Sequence, residues 1–216
     1  LFASATYLEA LGFRSMTFKA AVNCQWQDQD FEALRCQYEK LGEFYIDRLV
    51  KGKRLNIDEF AKGIQMVHSV ATNSKFPCGA GRGVMLVDPR GDIWPCHRFG
   101  PHQCGGQFRL ATLGGPFSDR LRNVFLNYNV IEDGSAECHK CHAVLTCRSW
   151  CYAECVDSTR TFYDPGKEYC RAVNIMHQEV LQIHDHLRSK HPDILRALLG
   201  GSHTVAARSR AIRQRA

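Results

Sequence analysis

Hydrophobic positions lay out the first elements of the chain. Leu1, Phe2, Ala5, Leu8 and Leu11 recur at helical spacing and Gly12 follows as a C-cap, which predicts a helix over residues 1–11. No capping residue precedes it, so the chain is expected to begin inside a longer protein. The period then changes, and Phe13, Met16, Phe18 and Ala20 predict a strand over residues 13–22. Beyond a polar stretch at 23–29, Asp30 is placed to cap a helix whose inner face is Phe31, Leu34, Tyr38, Leu41, Tyr45 and Leu49, ending near Gly52. Asn56 or Asp58 opens another helix, with Phe60, Ile64 and Val67 on one face. Its period breaks at Thr72-Asn73-Ser74-Lys75, where a domain boundary is expected. Helix, strand, loop and helix in this order fit the last part of an α/β barrel or open sheet.

The second part reads differently. Asp88-Pro89-Arg90-Gly91 has the residue order of a tight turn, flanked by strands at Val84–Val87 and Ile93–Trp94. Pairing Val87 with Asp92 would bring Cys96 near Gly83. The run Gly79-Ala80-Gly81-Arg82-Gly83 would then curl back toward Cys78, as alternating glycines allow. That run precedes a strand, whereas a phosphate-binding loop follows a strand and opens a helix, so a nucleotide site is disfavoured. Residues 105–115 predict irregular chain. Ser118 or Asp119 starts a short helix with Leu121, Val124, Phe125 and Tyr128 inward. Asp164 and Pro165 open a long helix with Val173, Met176, Val180, Ile183 and Leu187 on its apolar stripe.

Composition adds a soluble class and a tail. With 216 residues, 44% of them hydrophobic, the chain can bury a core, and no stretch is apolar enough to span a bilayer. Part of the net charge of +6 lies at Arg208, Arg210, Arg213 and Arg215, the pattern of a solvated basic tail over 191–216. Neither nucleic acid nor membrane is expected as a partner.

The cysteines change the picture most. There are eleven, an odd count that does not suit a closed disulfide framework, and the C-x2-C and C-x3-C pairs suit metal binding in a reducing, cytoplasmic compartment. Cys78, Gly91 and Cys96 give C-x12-G-x4-C. Cys138, Cys141, Cys147 and Cys151 give C-x2-C-x5-C-x3-C, and Cys170 follows. Seven soft ligands at these spacings point to iron-sulfur clusters. Cys147, Cys151 and Cys155 stand at i, i+4 and i+8, which on a helix would share one face, and Cys170 falls in the first turns of the long helix. The rival is a zinc site at Cys138, Cys141, Cys147 and Cys151, with His139 and His142 nearby, but it leaves the hairpin cysteines and Cys170 unexplained. Cys24 and Cys36 read as ordinary thiols. Trp94, Trp150 and Tyr152 read as packing around the cysteine region.

This seven-cysteine pattern resembles the signature of the SPASM domain, which lies at the C-terminus of many radical S-adenosylmethionine enzymes that modify peptides and proteins. The resemblance covers roughly Cys78 to Leu187. It implies an α+β/α/β chain in which residues 1–71 are the end of a partial (β/α) barrel with a bridging helix. Residues 72–190 would then be an irregular auxiliary iron-sulfur domain with a β-hairpin and a long C-terminal helix. It further implies two [4Fe-4S] clusters, the first on Cys78, Cys96 and Cys151 and the second on Cys138, Cys141, Cys147 and Cys170. S-adenosylmethionine and a third cluster would belong to a radical core. That core needs C-x3-C-x2-C, which the chain lacks, so it would lie in a missing N-terminal part or in a separate polypeptide, and this chain alone would be inactive. The implied partners are a peptide or protein substrate and an external electron donor such as flavodoxin or ferredoxin. His97, directly after Cys96, holds the position at which sulfatase-modifying relatives carry an acidic proton acceptor, and could act as a base. The seven motif cysteines leave the first cluster one ligand short. Cys104 is the preferred fourth ligand, an open iron the next and Cys155 the last. A stand-alone electron-transfer module and a zinc-stabilised binding module are the alternative functions.

Overall fold

A computed structural model describes residues 1–21, 24–68, 78–101, 106–128, 133–144, 147, 151–162 and 164–200. Its elements run α1 (Phe2–Ala10), β1 (Ser15–Met16), α2 (Asp28–Val50), β2 (Asn56–Ile57), α3 (Asp58–His68), β3 (Leu86–Val87) and β4 (Asp92–Trp94). They continue with β5 (Ala111–Thr112), α4 (Asp119–Asn127), α5 (Ala136–His139), α6 (Tyr152–Thr159), α7 (Lys167–Lys190) and α8 (Pro192–Gly200). The described residues are rich in helix, with two small sheets. Among the described residues no helix is long and apolar enough to cross a membrane. The chain divides into two compact units, one of Leu1–Ala21, Trp26–Thr72 and Arg171–Ala216, the other of Val22–Gln25 and Asn73–Cys170.

In the first unit, α1 ends as its capping glycine predicts, with Gly12 at φ +96°. The strand expected over 13–22 shrinks to the two residues of β1, because Phe13 is exposed and the apolar alternation there meets no core. Asp30 is not the cap of α2. Gln27 takes that place, and its backbone N–H donates to the Asp30 carboxylate at 2.8 Å, a reciprocal capping box with Asp30 one turn inside. The expected inner face holds, with Phe31, Leu34, Tyr38, Leu41 and Tyr45 buried. Asn56 enters a strand rather than a helix: β2 pairs in parallel with β1, Ser15 opposite Asn56 and Met16 opposite Ile57, and Asp58 then opens α3. The sequence β1-α2-β2 is therefore a strand-helix-strand crossover, the connection that parallel pairing requires.

The part of α7 from Arg171 onward packs against α2 and α3 at two glycines. A Cβ at Gly42 would collide with the Glu179 carboxylate, and one at Gly63 would stand 2.7 Å from a Val180 methyl. Val173, Met176, Val180, Ile183 and Leu187 form the buried stripe of α7. Glu179 is buried in the same face, and burial, followed by the carboxylates of Glu39 and Glu43, pushes its carboxyl up to about 7. After α7 the chain makes a further helix, α8, where the charge pattern points to a tail.

In the second unit the hairpin forms with its register one residue away from expectation. Leu86 faces Trp94 and Val87 faces Ile93. Asp88 and Asp92 close the turn: the Asp88 N–H donates to the Asp92 carbonyl at 3.0 Å, and the Asp88 side chain accepts from the N–H groups of Arg90 and Asp92. Three residues, Pro89 to Gly91, form the loop, with Gly91 at φ +83°. A third strand, β5, pairs antiparallel with β4 inside the stretch expected to be irregular. The Asp92 carboxylate holds it there by accepting from Arg109 and from Thr112. Beneath lies an aromatic core of Phe99, Phe108, Phe125, Tyr128 and Tyr152, with Phe162 packed against it.

Because the folded Glu179 carboxyl keeps its proton where the unfolded one has lost it, stability conferred by this group is full below about pH 4.5 and is lost as pH rises through about 7. In denaturant titrations across that window, Glu179→Gln is expected to flatten the decline that the unmodified chain shows. An unchanged slope would contradict the assignment.

Candidate metal centre

Seven of the cysteines singled out by spacing come together in the second unit as two sets. Cys78 leaves the residues before the hairpin and Cys96 leaves its far strand. Cys151 caps the N-terminus of α6. The thiols of Cys78 and Cys96 each lie within electrostatic reach of Cys151, and Cys78 of Cys96 as well. The glycine run makes this possible. Gly81, at φ +66°, donates to the Pro95 carbonyl at 2.8 Å and to the Val84 carbonyl at 3.1 Å, so the chain folds back beside Cys96 as its alternating glycines suggest. A Cβ at Gly81 would stand 2.7 Å from Phe125.

The second set is Cys138, Cys141, Cys147 and Cys170. Cys138 ends the first turn of α5, and its Sγ receives the Ser135 hydroxyl at 3.3 Å. Cys170 lies in the first turn of α7. Burial, then Cys170, Cys141 and Cys138, push the Cys147 thiol up to about 12. Burial, then Cys138 and Cys141, push Cys170 up to about 11. Cys147 does not share a helix face with Cys151 and Cys155, because α6 begins only after Cys151. The C-x3-C pair therefore sends its two thiols to different sets.

The surroundings of the first set favour negative charge on sulfur. The Cys78 thiol accepts from the backbone N–H groups of Ala80 and Tyr152, and the Cys96 thiol from those of Arg98 and Phe99. Burial nevertheless raises both thiols above their usual range, with the neighbouring thiols adding to it. The Arg98 guanidinium reaches the Cys151 Sγ at 3.6 Å while pairing with Glu154 at 3.2 Å and Asp157 at 3.1 Å. Nothing in the spacing of the cysteines pointed to Arg98. The signal open to sequence reading was the pair Glu154 and Asp157, two carboxylates one turn apart directly after Cys151.

The donor sets fit iron-sulfur clusters. Each is made of thiols, converging from separate segments and backed by an apolar aromatic shell that Cys96, Cys147 and Cys151 touch. The Tyr169 hydroxyl supports the fit. It is buried without a hydrogen-bond partner among the described residues, and it lies within electrostatic reach of Cys147 in one set and Cys151 in the other. A cluster sulfide or thiolate is the acceptor such a group needs. Among the described residues no three His, Cys, Asp or Glu side chains stand close enough to share one metal ion. A four-iron cluster asks for less convergence, because each thiolate binds a different iron.

His97 is exposed at the start of a 3-10 turn, His97–Phe99. Cys155 is fully buried in the aromatic core, and Cys24 and Cys36 are exposed. Cys104, Trp150 and residues 201–216 lie outside the described residues.

No protein-family model matches the chain. No curated protein matches it in sequence. Among solved structures it is similar to hexahistidine-tagged anSMEcpe with bound AdoMet, at 15% identity and a TM-score of 0.59, over 92% of this chain and 54% of that one. It is similar also to native anSMEcpe with bound AdoMet, at 15% identity and a TM-score of 0.59, over 86% of this chain and 52% of that one. A third structure, native anSMEcpe with AdoMet and a bound peptide, aligns at 14% identity and a TM-score of 0.59, over 85% and 53%. The chain thus shares the fold of the part of anSMEcpe with which it aligns. It spans about half the length of the protein it matches.

Gly81→Ala is expected to destabilise the second unit by about 2–3 kcal/mol, combining a strained left-handed residue with overpacking against Phe125. Chemical denaturation of the iron-free chain checks this. A change below about 0.5 kcal/mol, the range of neutral surface substitutions, would contradict it.

Proposed function

We propose that this chain is the auxiliary-cluster portion of a radical S-adenosylmethionine enzyme that modifies a peptide or protein. Cys78, Cys96 and Cys151 would hold one [4Fe-4S] cluster, and Cys138, Cys141, Cys147 and Cys170 a second. The observation that carries this reading is the partition of the seven thiols into two mutually coupled sets. When bound, such clusters supply one-electron transfer and, where an iron lacks a protein ligand, a Lewis-acid site.

The chain's own residues hold the thiols in register. The hairpin turn sets Cys96, the Gly81 fold-back sets Cys78, and the start of α6 sets Cys151. The aromatic core shields the side of the site that faces it. Three thiols serve the first set, and Cys104 or an open iron completes it. His97, exposed beside Cys96, would act as the base at the substrate, and in the complete enzyme His97→Ala with full iron and unchanged turnover would remove that role.

The chain has no C-x3-C-x2-C triplet, so cleavage of S-adenosylmethionine, with its own cluster, is assigned to a core outside it. An external donor such as flavodoxin or ferredoxin would feed that core. A peptide substrate is supported by the anSMEcpe structure that contains one. The upstream β1-α2-β2 crossover would be the end of the partial barrel.

Anaerobic reconstitution of the chain is expected to load about eight irons with matching sulfide, as two four-iron clusters. Cys141→Ala should lower this to about four while leaving the first set filled. Stoichiometric zinc with about two irons or fewer would overturn the proposal in favour of a zinc-stabilised module.

A further inference from the structure

Arg98 joins two separate pieces of the first site, the segment after the hairpin and the start of α6. It follows Cys96 by two residues, so its backbone N–H donates to that thiol, and its side chain crosses to the start of α6. There Nη1 approaches the Cys151 Sγ at 3.6 Å and Glu154 at 3.2 Å, while Nη2 binds Asp157 at 3.1 Å. Glu154 and Asp157 lie at i and i+3 on α6 and so present adjacent carboxylates to one planar fork. The Arg98 side chain is only 16% exposed and that of Glu154 8%, so these charges act through a medium that screens them little. The second set has a different environment: Cys170 is faced by the carboxylates of Asp164 and Glu137.

We propose that Arg98, held on Cys151 by Glu154 and Asp157, is a positioning residue that sets the reduction potential of the cluster on Cys78, Cys96 and Cys151. The inference rests on the assignment of a cluster to those three thiols. A four-iron cluster that passes from the 2+ to the 1+ state gains one electron and one unit of negative charge. A cation and an N–H donor beside a ligating sulfur stabilise that added charge and raise the potential, and a nearby carboxylate lowers it. Guanidinium is protonated at every pH the protein meets, so its charge is a constant of the site.

The sign of the effect separates this role from a structural one. In the anaerobically reconstituted full chain, dithionite reduces each cluster by one electron, and electron paramagnetic resonance follows two waves. Arg98→Gln is expected to move one wave to more negative potential and leave the other in place. Glu154→Gln should move the same wave in the opposite direction, and Arg98→Lys, which keeps the charge, should bring it back toward its original position.

If Arg98→Gln fails to load iron, Glu154→Gln decides alone: an upward shift of one wave supports the role, and no shift overturns it. Two substitutions that leave both waves in place, or move one wave in the same direction, overturn it while the cluster assignment stands. An unmodified chain that loads no iron contradicts the cluster assignment and the inference together.

Discussion

The candidate site depends on one electrostatic constraint: seven thiols, most of them partly buried, fall into two sets within which their anionic forms repel one another. Burial and mutual repulsion hold Cys78, Cys96, Cys147 and Cys170 above the usual thiol range, so as bare groups they stay neutral. Under the proposed assignment, bound iron would reverse that balance, because its charge would compensate the thiolates of each set. Other contacts in the second unit favour the same charge on sulfur. Backbone N–H groups of Ala80, Arg98, Phe99 and Tyr152 point at the first thiols, and the Ser135 hydroxyl points at Cys138 in the second set. The aromatic core under Cys96, Cys147 and Cys151 keeps the dielectric low, which strengthens each of these contacts.

The geometry follows from local rules applied in series. Asp88 to Asp92 make a turn that can close in few ways, and this places Cys96 just beyond the end of β4. Gly81 needs a positive φ and the absence of a Cβ, since Phe125 occupies the space a side chain would take. Phe125 belongs to the same aromatic core as Tyr152, the residue after Cys151. This packing contact therefore helps decide which thiols meet.

Local chemistry made the turn and the apolar faces of α2 and α7 readable in the sequence, because each depends on residues close together along the chain. Long-range contacts hid the rest. The hairpin register differs by one residue because Asp92 bonds back to Asp88, making the loop three residues long. The short strand β5 is held by Arg109 and Thr112 on Asp92, a contact without periodicity of its own. Gln27 caps α2 in place of Asp30 because either residue type can join a capping box, and only the geometry shows which end each occupies. Arg98 was unreadable for the same reason, since its partners lie more than fifty residues further on. At 15% identity the fold is similar to that of part of anSMEcpe although few residues are shared.

The most direct test of this account is anomalous diffraction at the iron edge from crystals of the anaerobically reconstituted chain. The account predicts two separate iron centres, one ringed by Cys78, Cys96 and Cys151 and the other by Cys138, Cys141, Cys147 and Cys170. A single centre drawing thiolates from both sets, or a signal at the zinc edge alone, would contradict it.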